Sequence, residues 1–126
     1  ALAARLRAAG PAAEIGAVLF DQRVLSGVGN MWKAEALWTA GVSPWAAVGE
    51  LDDGQLARVA EAVVSLMRGA LEGGRARHAV YSRAGRQCAR CGAVIRSWPQ
   101  GDDARTAYWC PGCQQPLGAG PRRSAT

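Results

Sequence analysis

The sequence predicts a mainly α fold, a helical bundle followed by a small β-hairpin module built around a metal. Three observations carry this. Apolar residues recur at three-four spacing through roughly the first 71 positions. After Gly74 the pattern changes to short β-type runs between Gly, Pro and Asp clusters. All four cysteines lie in this second part, as two C-x2-C pairs. The expected organisation is a helical unit over 1–74, a four-cysteine zinc finger over 75–116 and a disordered tail over 117–126.

Leu2, Leu6 and Ala9 mark the end of a first helix, stopped by Gly10-Pro11. A second helix is expected from Ala12, with Ile15, Val18 and Leu19 on one face and Leu25 near its close. Gly27 and Gly29 punctuate the chain, and Asn30 is a good N-cap for a third helix running to about Ala40. Trp32, Ala36 and Leu37 share a face of that helix, and Gly41 ends it. In "SPWAAV", Ser43 as N-cap and Pro44 at the first helical position predict another short helix.

The clearest helix runs from about Asp53 to Leu71, with Leu56, Val59, Ala60, Val63, Val64, Met67, Ala70 and Leu71 at helical spacing. Asp52 caps it, Gln55 reaches back in a capping box, and Gly73-Gly74 ends it. Beyond it, "AVYS", "AVIRSW" and "TAYWC" read as strands of hairpins. No run approaches a membrane span, and the start lacks a signal-peptide layout. That start has no Met and falls in mid-amphipathic pattern, which we read as the beginning of a piece of a longer protein.

The formal charge is +5, and fourteen of the fifteen basic residues are arginine, whose planar fork suits phosphate. A GC-rich genome would also favour Arg codons, so distribution matters more than the total. No acid stands between Glu72 and Asp102, whereas Arg75, Arg77, Arg83, Arg86, Arg90 and Arg96 all do. That stretch is a candidate contact surface for a nucleic acid.

Cys88 and Cys91 are separated from Cys110 and Cys113 by eighteen residues, the spacing of a four-cysteine zinc site. Each C-x2-C knuckle aims two sulfurs at one point, and two knuckles complete a tetrahedron around one structural Zn²⁺. Gly92 and Gly112 supply the unusual backbone angles expected there. A hairpin module this small buries too little apolar surface to fold alone, so metal binding supplies its stability. Paired disulfides would need an oxidising compartment, and a thioredoxin-type motif would need a single C-x-x-C at a strand-to-helix junction. Four thiolates leave no open position for catalysis.

Other candidates have blander readings. His78 lies outside the knuckles and reads as a hairpin-base or surface residue. Tyr108 and Trp109 could stack on bases, but alternation puts at least one in the hairpin core. Trp32, Trp38 and Trp45 are expected between helices. Asp21 and Glu35 are expected in structural pairs, with Arg23 or Lys33 as partners.

Two stretches together resemble the DNA glycosylases of the formamidopyrimidine-DNA glycosylase and endonuclease VIII family. "IGAVLFDQRVLSGVGNMWKAEALW", residues 15–38, is similar to the family's helix–two-turn–helix motif. "VYSRAGRQCARCGAVI…RTAYWCPGCQ", residues 80–114, resembles its C-terminal zinc finger. The resemblance implies that Asn30, after Gly29, contacts a backbone phosphate beside the lesion. It also implies that Arg105, five residues before Cys110, grips the phosphates flanking the extruded nucleotide. Cys88, Cys91, Cys110 and Cys113 match the zinc ligands. The residues are compatible with these roles, since Gly27 and Gly29 would leave N–H groups accessible to an anion at a helix N-terminus.

Family chemistry, as the resemblance implies it, uses an N-terminal proline amine to attack C1′ of the damaged nucleotide, followed by β/δ-elimination. This chain begins with Ala1, and Pro11 is internal. We therefore expect the DNA-binding half of a bifunctional glycosylase and AP lyase, a monomer on damaged double-stranded DNA in the bacterial cytoplasm, with its catalytic domain upstream. Only "GGRARHA" separates Leu71-Glu72 from the expected hairpin strand, too short for the lesion cover that the resemblance implies for purine-specific members. With "YWCPGCQ", this favours an endonuclease VIII type acting on oxidised pyrimidines and abasic sites. The rival readings are a non-enzymatic zinc-containing nucleic-acid-binding module and a zinc ribbon meeting an acidic protein.

Overall fold

The computed structural model describes residues 2–21, 30–71, 78–100 and 105–121. Side chains at some positions inside elements, Asn30 and Arg105 among them, fall outside that description. The helices are α1 (Leu2–Arg7), α2 (Ile15–Asp21), α3 (Asn30–Ala40) and α4 (Asp53–Leu71). Strands β1 (Arg96–Gln100) and β2 (Arg105–Trp109) form one antiparallel hairpin. The described residues thus combine helices with a two-stranded hairpin, as the sequence patterning indicates. No helix among them is long and apolar enough to cross a membrane.

α4 has the bounds expected from its periodicity. Its start is the capping box: the Gln55 N–H donates to Asp52 Oδ1 at 2.7 Å, and the Asp52 N–H donates to Gln55 Oε1 at 2.9 Å. Leu56, Val59, Ala62 and Val63 are buried against Leu6, Ile15, Leu19, Ala36 and Leu37, so α1, α2, α3 and α4 share one apolar core. Val64, expected on the inner stripe, is largely exposed.

Two helix expectations need correction. α2 begins at Ile15 rather than Ala12, because the preceding residues pair in extended conformation with 46–48. The Ile15 N–H donates to Ala46 O and the Val48 N–H to Ala13 O, both at 2.8 Å. "SPWAAV" forms a turn leading into a single 3₁₀ turn, Val48–Glu50, rather than an α-helix. Ser43 does cap, but locally, its Oγ accepting the Trp45 N–H at 3.1 Å. The Ser43 N–H is committed elsewhere, donating to Gln115 O at 2.7 Å.

α3 ends as its glycine predicts. Gly41 takes φ +74°, the Val42 N–H donates to Leu37 O, and the Gly41 N–H donates to Trp38 O. Five consecutive residues, Lys33 to Leu37, are buried, which places α3 in the middle of the molecule. Ala36 and Leu37 belong to the helical core. Ala34 and Trp38 instead pack against Val80, Cys88, Ile95 and Cys110 of the cysteine-bearing half.

Of the β-type runs, "AVYS" is a turn and not a strand. The hairpin pairs Arg96 with Trp109 through to Gln100 with Arg105. Trp109 is buried edge-on against Trp45, with ring centroids 5.3 Å apart, while Tyr108 packs on Tyr81 from another cluster. Trp38, on α3, therefore packs on the cysteine-bearing cluster, and Trp45, in the 43–47 turn, packs on Trp109 of the hairpin; Trp32 does pack on the helical core. Residues 117–121 of the expected tail fold back, with the Gly118 N–H donating to Pro111 O and Ala119 packed on the Trp45–Trp109 cluster.

Candidate metal centre and nucleic-acid interface

The two knuckles bring the ligand atoms of Cys88, Cys91, Cys110 and Cys113 within 4.8 Å of one another. Cys88 and Cys113 sulfurs are 3.8 Å apart, and those of Cys91 and Cys110 are 3.3 Å apart. A tetrahedron with Zn–S bonds of about 2.3 Å has sulfur–sulfur edges of about 3.8 Å, so this donor set fits a four-thiolate ion. The first knuckle closes by its own backbone geometry: Gly92 takes φ +83°, and its N–H donates to Cys88 O at 2.8 Å.

Gly112 serves a different purpose from the one its sequence position suggests. It has no left-handed φ; a Cβ there would lie 2.7 Å from Ala93 Cβ and 2.9 Å from Cys91 Sγ. Glycine is required by close approach, not by backbone angle. His78 is exposed and lies edge-on to Tyr81, away from the cysteines, as expected of a surface residue.

The thiols are electrostatically unequal. Burial pushes the Cys110 thiol up, hydrogen bonding with Cys91 adds to this, and it reaches about 12. Burial also acts upward on Cys88, but donation from the Trp38 indole and the Cys91 and Arg90 backbones outweighs it and leaves Cys88 at about 6. A dication bound here would hold all four as thiolates.

Sequence reasoning missed the residues around the sulfurs. The Trp38 indole N–H donates to Cys88 Sγ at 3.3 Å. The Arg90 guanidinium donates to Cys113 Sγ at 3.3 and 3.2 Å, and to Trp38 O at 2.6 Å. Gln114, fully buried, accepts the Cys110 N–H at 2.7 Å and donates to Val42 O at 2.8 Å. Arg90, though exposed, is thereby tied to the cysteine cluster; Arg86 and Arg96 of the acid-free stretch are also exposed and Arg83 is partly so. Arg75 and Arg77 lie outside the described residues.

Glu35 Oε1 accepts the Ala79 N–H at 2.8 Å, and Oε2 accepts those of Val80 and Tyr81 at 2.9 and 3.0 Å; Arg23, one of its expected partners, lies outside the described residues. The carboxylate on α3 thus organises the turn that leads into the first knuckle. Only a fold that brings residues 35 and 80 together could reveal this.

Of the candidate phosphate contacts, Asn30 is the first residue of α3, and Gly27 and Gly29 lie outside the described residues. Arg105 opens β2 opposite Gln100. The hairpin is pinned at that end: Gln100 Nε2 donates to Pro44 O at 2.8 Å and to Glu14 Oε1 at 3.2 Å. Its amide lies directly against the bare Cα of Gly16, where a side chain would collide with it. α3 therefore starts at one candidate contact and ends at the metal centre, whose second knuckle continues from the strand that carries the other.

A helical unit sharing α3 with a four-cysteine metal-knuckle hairpin defines the class of domain. A family model described as the formamidopyrimidine-DNA glycosylase H2TH domain matches residues 2–81. The chain is 41% identical over 128 aligned positions to "Probable endonuclease 8 2" of Streptomyces coelicolor, covering 90% of this chain and 44% of that protein. It is 36% identical to "Endonuclease 8" of Klebsiella pneumoniae, covering 77% and 40%. A solved complex of Lactococcus lactis Fpg (MutM) with an oxidized pyrimidine containing DNA superposes with a TM-score of 0.77 at 26% identity, over 90% of this chain and 46% of that one. The chain belongs to the formamidopyrimidine-DNA glycosylase and endonuclease VIII family. It spans under half the length of the curated relatives it matches.

Proposed function

We propose that this chain is the DNA-binding part of a bifunctional DNA glycosylase and AP lyase of base-excision repair, holding one structural zinc. The observation that carries the reading is the continuity of α3, which begins at Asn30 and ends on the metal centre. Asn30, with Gly29 before it, is assigned to a phosphate beside the lesion, and Arg105 to the phosphates flanking the extruded nucleotide. Cys88, Cys91, Cys110 and Cys113 are the zinc ligands. The bound ion would supply rigidity: it fixes the two knuckles and with them the start and end of the hairpin.

Oxidised pyrimidines and abasic sites are the preferred lesions in this reading. The short segment between α4 and the 79–81 turn supports it, as do relatives named endonuclease 8. The protein acts as a cytoplasmic monomer, with the catalytic proline supplied by a segment that corresponds to the unmatched half of its relatives. This polypeptide alone therefore binds damaged duplex DNA and does not cleave it.

Fluorescence anisotropy with a duplex bearing an abasic-site analogue tests the reading. Zinc-loaded chain should bind this duplex more tightly than intact duplex or RNA of equal length, with affinity falling steeply with salt. Borohydride should trap no covalent adduct on a true abasic site. Equal affinity for RNA would support the non-enzymatic alternative, and a trapped adduct would refute the division of labour.

A further inference from the structure

We propose that Arg90, acting with Trp38, is the positioning residue that couples filling of the four-cysteine site to the last turn of α3. The inference rests on the zinc reading above.

Arg90 makes three kinds of contact at once. Its Nε and Nη2 donate to Cys113 Sγ, and Nη2 also donates to the carbonyl of Trp38 at 2.6 Å. Its guanidinium carbon lies 3.9 Å from the centroid of the Trp38 ring. Its backbone N–H donates to Cys88 Sγ at 3.4 Å, the sulfur that also accepts the Trp38 indole N–H. Trp38 O already accepts the Gly41 N–H in the motif that closes α3. The end of the helix is therefore held by a cation that is itself held by a metal-ligand sulfur.

The strength of that hold depends on what the sulfur is. Four thiolates on one Zn²⁺ carry a net charge of about −2, so N–H donors aimed at them make charge-assisted bonds. A neutral thiol is a weak acceptor. With zinc bound, Arg90 is anchored at both ends; without it the sulfur anchor is lost, and the hold on Trp38 goes with it as the knuckle loosens. A guanidinium suits this task because it can stack on a ring while its fork reaches a sulfur and a carbonyl together, which a lysine ammonium cannot. The helix so held is about 16 Å long and begins at Asn30. Metal occupancy at one end is thus conveyed into the helix assigned to DNA at the other.

The test uses the full chain loaded with zinc, comparing wild type, Arg90→Gln, Arg90→Lys and Trp38→Phe. The first readout is the rate of zinc transfer to a chromogenic chelator. The second is amide hydrogen exchange over residues 37–42, with and without zinc. In wild type, zinc should slow that exchange about tenfold or more. Arg90→Gln should still bind one zinc, release it about tenfold faster, and lose most of the zinc-dependent protection. Arg90→Lys should fall between. Trp38→Phe keeps the ring and the carbonyl, so it should speed release several-fold while retaining the protection.

Release and protection within twofold of wild type in Arg90→Gln would overturn the inference. Should that variant not fold, the same result in Arg90→Lys would overturn it. Failure of wild-type chain to take up zinc refutes the zinc reading itself, which separates the two failures.

Discussion

The carboxylate of Glu35 accepts the backbone N–H of Val80 at 2.9 Å, joining residues 45 apart in the chain across the boundary between helical unit and cysteine module. The neighbouring N–H groups of Ala79 and Tyr81 donate to the same carboxylate. Three donors converge on one buried side chain in place of a strand ladder.

Glu35→Gln keeps the shape but removes the charge and turns one acceptor atom into a donor facing N–H groups. The expected cost is about 2–4 kcal/mol of folding stability, measured by urea denaturation of the zinc-loaded chain. A loss below about 0.5 kcal/mol would mean that the 79–81 turn is held by packing alone.

Gly112→Ala should damage the metal centre without replacing a ligand. Its Cβ would press on Cys91 Sγ and Ala93 Cβ, so one sulfur must move from the tetrahedron. We expect zinc affinity to fall about tenfold to a hundredfold in chelator competition, a loss comparable to that of an outer-sphere partner. Unchanged affinity would show that the knuckle can open by a few tenths of an ångström at no cost.

Zinc removal should unfold the cysteine module while leaving α4 helical. Ala34 and Trp38 pack on the cysteine-bearing cluster, whereas α4 packs on the helical core. Chelation should therefore reduce tryptophan protection and DNA binding, with most of the far-ultraviolet helical dichroism retained. Retention of full DNA affinity by the metal-free chain would contradict the structural role of the ion.

The phosphate contacts proposed for Arg105 and Asn30 predict a particular kind of loss. Arg105→Gln should weaken binding to all duplexes by a similar factor and reduce the salt slope by about one, because one phosphate contact is removed. Asn30→Ala should weaken binding with little change in slope, since it removes a neutral donor. A change confined to one lesion type would argue for base readout instead.

Arg7 supplies a contrast. It donates to Leu51 O and Asp53 Oδ1, both at 2.9 Å, but Asp53 is almost wholly exposed. Arg7→Ala should cost no more than about 1 kcal/mol in thermal or urea unfolding.

Several features were legible from the residues alone. Helix α4 could be read to its bounds because its apolar spacing, its Asp52–Gln55 capping box and its length all state the same local preference. The four-cysteine cluster was legible because C-x2-C spacing nearly specifies a knuckle, and two knuckles can bring four sulfurs to one point. Gly41 likewise declared the end of α3.

Tertiary structure alone decided how the parts are joined. Trp38 and Arg90 stand 52 residues apart, and Trp45 and Trp109 belong to different halves, so no local spacing could pair them. Short segments such as "AVYS" and "SPWAAV" carry too few residues to outvote their surroundings. The first became a turn because its N–H groups found Glu35, and the second because the Ser43 N–H found Gln115 O. Local propensity is summed over a window and survives when the window is long. The choice of partner for a buried polar group depends on which distant atoms the fold brings within about 3 Å, and that the sequence does not display.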